Sequence, residues 1–185
     1  RGGLPDLQLS GFELEHETAT ISEIRLRYHN GAACEIQVRN SLAEGEGQTT
    51  GRPQGAFDAV LVDPPTKNFL PWINRATSLL NKTTDSRAFI LLPAGALAAG
   101  GPLSKSKIGP IKRHLEAAVR LPTGSGISTG RSGLWLCVFT SGRAKYDEIL
   151  VIDVNRYEFR LALPADDVCA AISHWRDTQT INEEL

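Results

Sequence analysis

Apolar residues follow two rhythms along this chain, and each predicts a kind of element. Ala59-Val60-Leu61-Val62 is an unbroken apolar run that stops at Asp63-Pro64-Pro65. A run without polar alternation predicts a strand covered on both faces of a parallel sheet. Prolines cannot donate to a strand ladder, so pairing should end there and leave Asp63 at the carboxyl end of a central strand. Two further buried strands are expected, Ala88 to Leu92, closed by Pro93, and Leu134 to Phe139. Leu7 to Glu15, Cys34 to Val38 and a short stretch at Val119 to Leu121 also read as strands. Ile149 to Val154 alternates weakly and is expected to lie outside the main sheet.

The helical rhythm appears four times. Ile21, Ile24 and Tyr28 form a stripe in the segment 17–30, which Asn30-Gly31 should end. Trp72, Ile73, Ala76, Leu79 and Leu80 form a second, with Asn68 placed to cap it. Ile108, Ile111, Leu115 and Ala118 predict a third helix, with Pro110 tolerable in its first turn. Val168, Ala171, Ile172 and Trp175 outline the last, with Asp166 and Asp167 in its first turn. Glu44 to Gly55 has no period and reads as a mobile surface loop; Gly95 to Pro102 and Thr123 to Gly133 read as loops. Strands alternating with helices from Leu7 to Leu121 predict an α/β fold with a parallel, doubly wound sheet. The Leu134 strand follows a loop rather than a helix, so it should run antiparallel beside its predecessor.

Composition narrows this picture modestly. The chain has 185 residues, enough for one core, and its formal charge of −1 makes any nucleic-acid surface a local patch. Lys105, Lys107, Lys112, Arg113 and Arg120 are the basic cluster available for such a patch, or simply a solvated face. The three cysteines are widely spaced and odd in number, which fits reduced thiols in a cytoplasmic protein and no zinc site. No apolar segment is long enough to cross a membrane as a helix. The chain begins at Arg1 and contains no Met, so it is expected to be a piece of a longer protein.

The order of strand ends resembles a known family. A strand ending in an acid near Gly11-Phe12-Glu13, one ending near Asn40, and then Phe57 to Pro65 are similar to the S-adenosylmethionine-dependent amino-methyltransferases. Within these, the chain most resembles the modification subunits of type I restriction-modification systems, which methylate adenine in DNA. The likeness extends through Ala88 to Pro93, Leu121-Pro122 to Gly130, Leu134 to Phe139 and the segment from Ile149 onward. It implies a Rossmann-like methyltransferase fold, mostly parallel with one antiparallel strand and incomplete at its N-terminus. Residues 1–145 would form a partial catalytic core, and 146–185 a strand-and-helix extension on or next to it.

Carried across residue by residue, the resemblance makes Glu13 the acid that holds the cofactor ribose, with Glu15 the neighbouring alternative. Asn40 falls where the family usually has an acid beside the cofactor adenine. Asp63, Pro64, Pro65 and Thr66 match the catalytic motif. It further implies DNA, specificity and restriction subunits as partners in a bacterial cytoplasm.

Two departures stand out. Thr66 replaces an aromatic that stacks on the target base, a contact worth roughly 1–3 kcal/mol, with Phe69 or Trp72 as substitutes and Trp72 assigned first to the core. The Gly-rich cofactor loop expected upstream of Glu13 is represented only by Arg1-Gly2-Gly3. The Gly-rich run 123–133 precedes no helix and reads as a flexible loop near the base-binding side. A degenerate scaffold, or a methyltransferase acting on RNA or on protein glutamine, stays open as an alternative.

Overall fold

A computed structural model of the chain describes residues 8–30, 33–38, 42, 57–64, 68–83, 85–98, 101, 114–122, 133–142, 148–154 and 165–180. The chain divides into two compact units, Arg1–Thr50 and Gly51–Leu185.

In the first unit, β1 (Gln8–Glu13) pairs in parallel with β2 (Ala33–Val38), and α1 (His16–Asn30) connects them. The expected apolar stripe of α1 does not face the strands. Ile21, Ile24 and Tyr28 are 51%, 62% and 85% exposed, whereas Ala19 is buried and Ser22, Glu23 and Leu26 are half-buried. The inward face therefore runs through 19, 22, 23 and 26. Of these four only Ala19 is fully buried, so the helix is closest packed at a small residue while Ile21, Ile24 and Tyr28 stay outside.

The second unit is built on a five-stranded sheet, ordered β3-β4-β6-β5-β7. Its strands are β3 (Ala59–Val62), β4 (Arg87–Pro93), β5 (Leu115–Arg120), β6 (Leu134–Thr140) and β7 (Leu150–Asp153). β3 is parallel to β4 and β5 is parallel to β7, while β6 runs antiparallel to both β4 and β5. The α/β class, the largely parallel sheets and the single reversed strand agree with the sequence. β7 differs from expectation, since it joins the main sheet at its edge. The strand at 115–120 replaces the end of the expected third helix, because Leu115 and Ala118 face the core from a strand that is buried up to Val119. The rest of that expected helix, through 113, lies outside the described residues.

Both faces of this sheet carry a core. On one, α2 (Leu70–Leu79) packs Ile73 and Ala76, with Phe69 and Leu80 beside them, against Val60, Ala88, Ile90, Leu92, Cys137 and Phe139. Asn68 does not cap α2: Phe69 holds the N-cap position without a side-chain hydrogen bond, and Pro71 stiffens the first turn. The other face carries α3 (Ala165–Thr178), whose Val168, Ile172 and Trp175 meet Ala117, Val119, Val138 and Leu150. β3 is the edge strand of this sheet, not a central one. Val60 and Val62 pack on the α2 side, but Leu61 is 76% exposed, so only one face of the apolar run is covered.

Candidate functional site

The strand directions determine which residues share an end of the sheet. Because β3, β4, β5 and β7 all run the same way, their carboxyl ends lie together, with the start of β6 among them. In open α/β sheets this is the end at which ligands bind. Pairing of β3 stops at Val62, as the prolines require. Asp63 then stands exposed, and Pro64 behind it is fully buried. The carboxylate is thus mounted on a rigid, packed residue instead of a free loop.

Two other connections meet this end. The turn after β4 is tied to the start of β6 by the Ala94 amide, which donates to the Gly133 carbonyl at 2.9 Å. Leu121 donates to Leu134 O at 2.8 Å. Gly133 has φ of +71°, a backbone conformation that favours glycine, and a Cβ there would make a tight 3.3 Å contact with Ala94 Cβ. Pro122, which precedes the Gly-rich run, and Gly133, which closes it, therefore lie at the Asp63 end; residues 123–132 are outside the described set.

The remaining expected site residues are distributed as follows. Glu13 ends β1, opposite Val38 of β2, and its Oε1 accepts a 2.8 Å hydrogen bond from the Leu14 amide. That bond orients the carboxylate and leaves Oε2 for a ligand hydroxyl, so the acid at the end of a parallel strand fits a ribose. Glu15 is exposed and accepts from Thr18 Oγ1 at the start of α1. Asn40, Pro65 and Thr66 lie outside the described residues, as do Lys105, Lys107, Lys112 and Arg113. Arg120, the described member of the basic cluster, is paired with Asp153 at 3.0 Å.

Of the two substitute aromatics, Phe69 is 5% exposed and sealed in the core, which removes it from any stacking role. Trp72 is half-buried at the edge of the α2 stripe, where its indole N–H is shut off from solvent without an acceptor among the described residues. Ile73, not Trp72, carries that turn of the core. Among the described residues no cluster of three or more His, Cys, Asp or Glu has metal-binding geometry.

The opposite end of the sheet holds a charged ring that no sequence motif announces. Arg87 Nε meets Glu116 Oε2 at 2.6 Å, and Arg176 Nε meets Glu116 Oε1 at 2.8 Å. Both arginines also reach Asp85, at 2.7 and 3.0 Å. Glu116 lies at an irregularity in the β5–β6 register between Leu115 and Ala117, and its carboxylate reaches past β6 to β4. The sequence separations of 29, 60 and 91 residues leave no local signal to find.

No family model matches the chain, and no curated protein matches it. Solved structures do resemble it. The methyltransferase subunit of a type I restriction-modification system from Streptococcus thermophilus superposes with a TM-score of 0.67 at 12% identity, covering 97% of this chain and 50% of that one. A putative class I S-adenosylmethionine-dependent methyltransferase from Listeria monocytogenes gives 0.60 at 12% identity, covering 94% and 55%. The modification subunit of a putative type I restriction enzyme from Vibrio vulnificus gives 0.59 at 19% identity, covering 94% and 42%. The fold is that of these methyltransferases, and the chain spans about half their length.

Proposed function

We propose that this chain is part of a methyltransferase of the type I modification-subunit kind, which transfers a methyl group from S-adenosylmethionine to the exocyclic amine of adenine in DNA. The observation that carries the reading is Asp63, exposed at the carboxyl end of β3 on the fully buried Pro64, in a chain with a methyltransferase fold. Glu13 would hold the cofactor ribose with its free carboxylate oxygen, and Asn40 would contact the adenine ring. The cofactor supplies the methyl group and the positive charge that makes it transferable.

An aromatic exocyclic amine is a poor nucleophile because its lone pair is delocalised into the ring. The Asp63 carboxylate and the Pro64 carbonyl accept its two hydrogens, which favours the geometry with a localised lone pair. Fixed acceptors of this kind act through preorganised electrostatics and positioning. Pro65 and Thr66 complete the turn that aims them. A base in duplex DNA has to be flipped out of the stack to reach this point.

On this reading residues 1–145 are a partial catalytic core and 146–185 an extension of it. Specificity and restriction subunits would be the partners, in a bacterial cytoplasm. Thr66 in place of an aromatic and Asn40 in place of an acid support a second reading, a scaffold that has lost its chemistry.

Asp63→Ala in the full-length parent protein is the direct test. It should abolish methylation of adenine-containing DNA, with the circular dichroism spectrum unchanged. Retained methylation would overturn the role of Asp63. Calorimetric titration of S-adenosylmethionine into this chain, and into a version extended upstream in its gene, separates enzyme from scaffold: binding by neither favours the scaffold.

A further inference from the structure

The strand registers align one row of residues across the ligand-binding end of the sheet. Leu92 of β4 is opposite Trp135 of β6, Trp135 is opposite Arg120 of β5, and Arg120 is opposite Asp153 of β7. Val62, the last paired residue of β3, is opposite Ile90, two residues before Leu92, and Asp63 and Pro64 follow it directly. The row Leu92–Trp135–Arg120–Asp153 therefore starts on the strand beside the proposed catalytic turn and crosses the sheet on its α2 face. Pro64 and Leu92 are buried, and Trp135 is where the row opens to solvent.

Trp135 rests against the core cluster and is half-buried. Arg120 commits one nitrogen to Asp153 and keeps other donors on its guanidinium. The pair is neutral overall, which disfavours a bare phosphate and suits a planar, polar-edged ring. Neighbouring strands lie about 4.8 Å apart, which puts Trp135 roughly 10 Å across the sheet from β3, the strand that leads into Asp63. That exceeds the reach of a base whose amine is held at Asp63, but it suits the next base along the same strand.

We infer that Trp135 is a stacking platform for the nucleobase adjacent to the one that reacts, with Arg120 bonding the edge of that base. The inference rests on the nucleic-acid reading above and adds a binding subsite to it. Base stacking on an aromatic tolerates any sequence, so this subsite contributes affinity rather than target choice.

The test titrates this chain with a short single-stranded oligodeoxyadenylate and with an abasic oligomer of equal length, following tryptophan emission and affinity. The adenylate should quench emission, and the abasic oligomer should not. Trp135→Phe should keep affinity within about threefold and lose the quench, whereas Trp135→Leu should bind roughly 5- to 150-fold more weakly. If Trp135→Leu does not fold, Trp135→Phe decides the matter alone. Quenching that persists in Trp135→Phe, unchanged affinity in a folded Trp135→Leu, or equal binding of the abasic oligomer overturns the inference while leaving the Asp63 assignment standing. Absence of binding by the wild-type chain to either oligomer overturns the inference and removes support for a nucleic-acid substrate.

Discussion

Cys137 shows how a single buried side chain turns packing into a pH dependence. It is fully buried in the α2-facing core, and burial pushes its thiol from an ordinary 9.0 up to about 12. In the unfolded chain the same thiol ionises near its ordinary value. The folded state thus holds a proton that the unfolded state releases, so stability falls as pH rises. The contribution is fully present below pH 9.0 and is lost on the way to about 12, at about 1.4 kcal/mol per pH unit. Urea midpoints of wild type and Cys137→Ala, measured from about pH 8 to about pH 10, should converge. Parallel midpoints would show that this thiol does not govern the alkaline limb. The burial itself was legible, because Cys137 sits inside an apolar run. The end of the strand just before Asp63 was legible too, since the prolines that stop it are sequence features. The distance from Trp135 to β3 was not, because it depends on β6 inserting between β4 and β5, and strand order is a long-range property.

Elements were legible where one period dominated. The Ala88, Leu134 and Val168 segments agree with their patterns, because each buries large apolar side chains at the spacing its element requires. Two readings failed for opposite reasons. Ile108, Ile111, Leu115 and Ala118 fall at helical spacing, yet 115–120 is a strand with five buried residues in succession and no alternation to betray it. In α1 the pattern weighted Ile21, Ile24 and Tyr28, whereas burial follows the small Ala19. Charged contacts between elements left no trace at all, and the ring around Glu116 is the main case. It fastens α3 to the sheet through Arg176 while Ile172 and Trp175 supply the apolar contact. Glu116→Gln leaves Arg87 and Arg176 with a neutral amide at the buried position and only the exposed Asp85 as a charged partner. Breaking a buried ion pair from one side costs about 3–5 kcal/mol. Equilibrium unfolding of Glu116→Gln should show a loss of that order, with greater protease cleavage within α3. A loss below about 1 kcal/mol, the range of an exposed pair, would mean that the ring is not a structural fastening.

At the scale of the molecule, the two units differ in how much core each possesses. Between Gly51 and Leu185 the sheet is packed on both faces, by α2 and α3. In Arg1–Thr50 the described buried apolar residues are Ala19 and Cys34, under one helix on a two-stranded sheet. Two strands and a helix bury too little apolar surface to be very stable by themselves. The cysteines give each unit its own reporter: Cys34 is buried in the first, Cys137 in the second, and Cys169 is exposed. Pulsed thiol labelling in rising urea, resolved by peptide mass, should modify Cys169 at once, Cys34 next and Cys137 last. Labelling of Cys34 and Cys137 along one shared transition would mean that the units unfold together. With separate transitions, Glu13 lies on the more labile unit and Asp63 on the more stable one. A ligand that binds through Glu13 should then move the Cys34 transition to higher urea and leave that of Cys137 in place, by the linkage that couples binding to local stability. Repeating the labelling with S-adenosylmethionine present therefore tests the proposed cofactor role of Glu13 without any assay of methyl transfer. A Cys34 transition unmoved at saturating cofactor would count against that role.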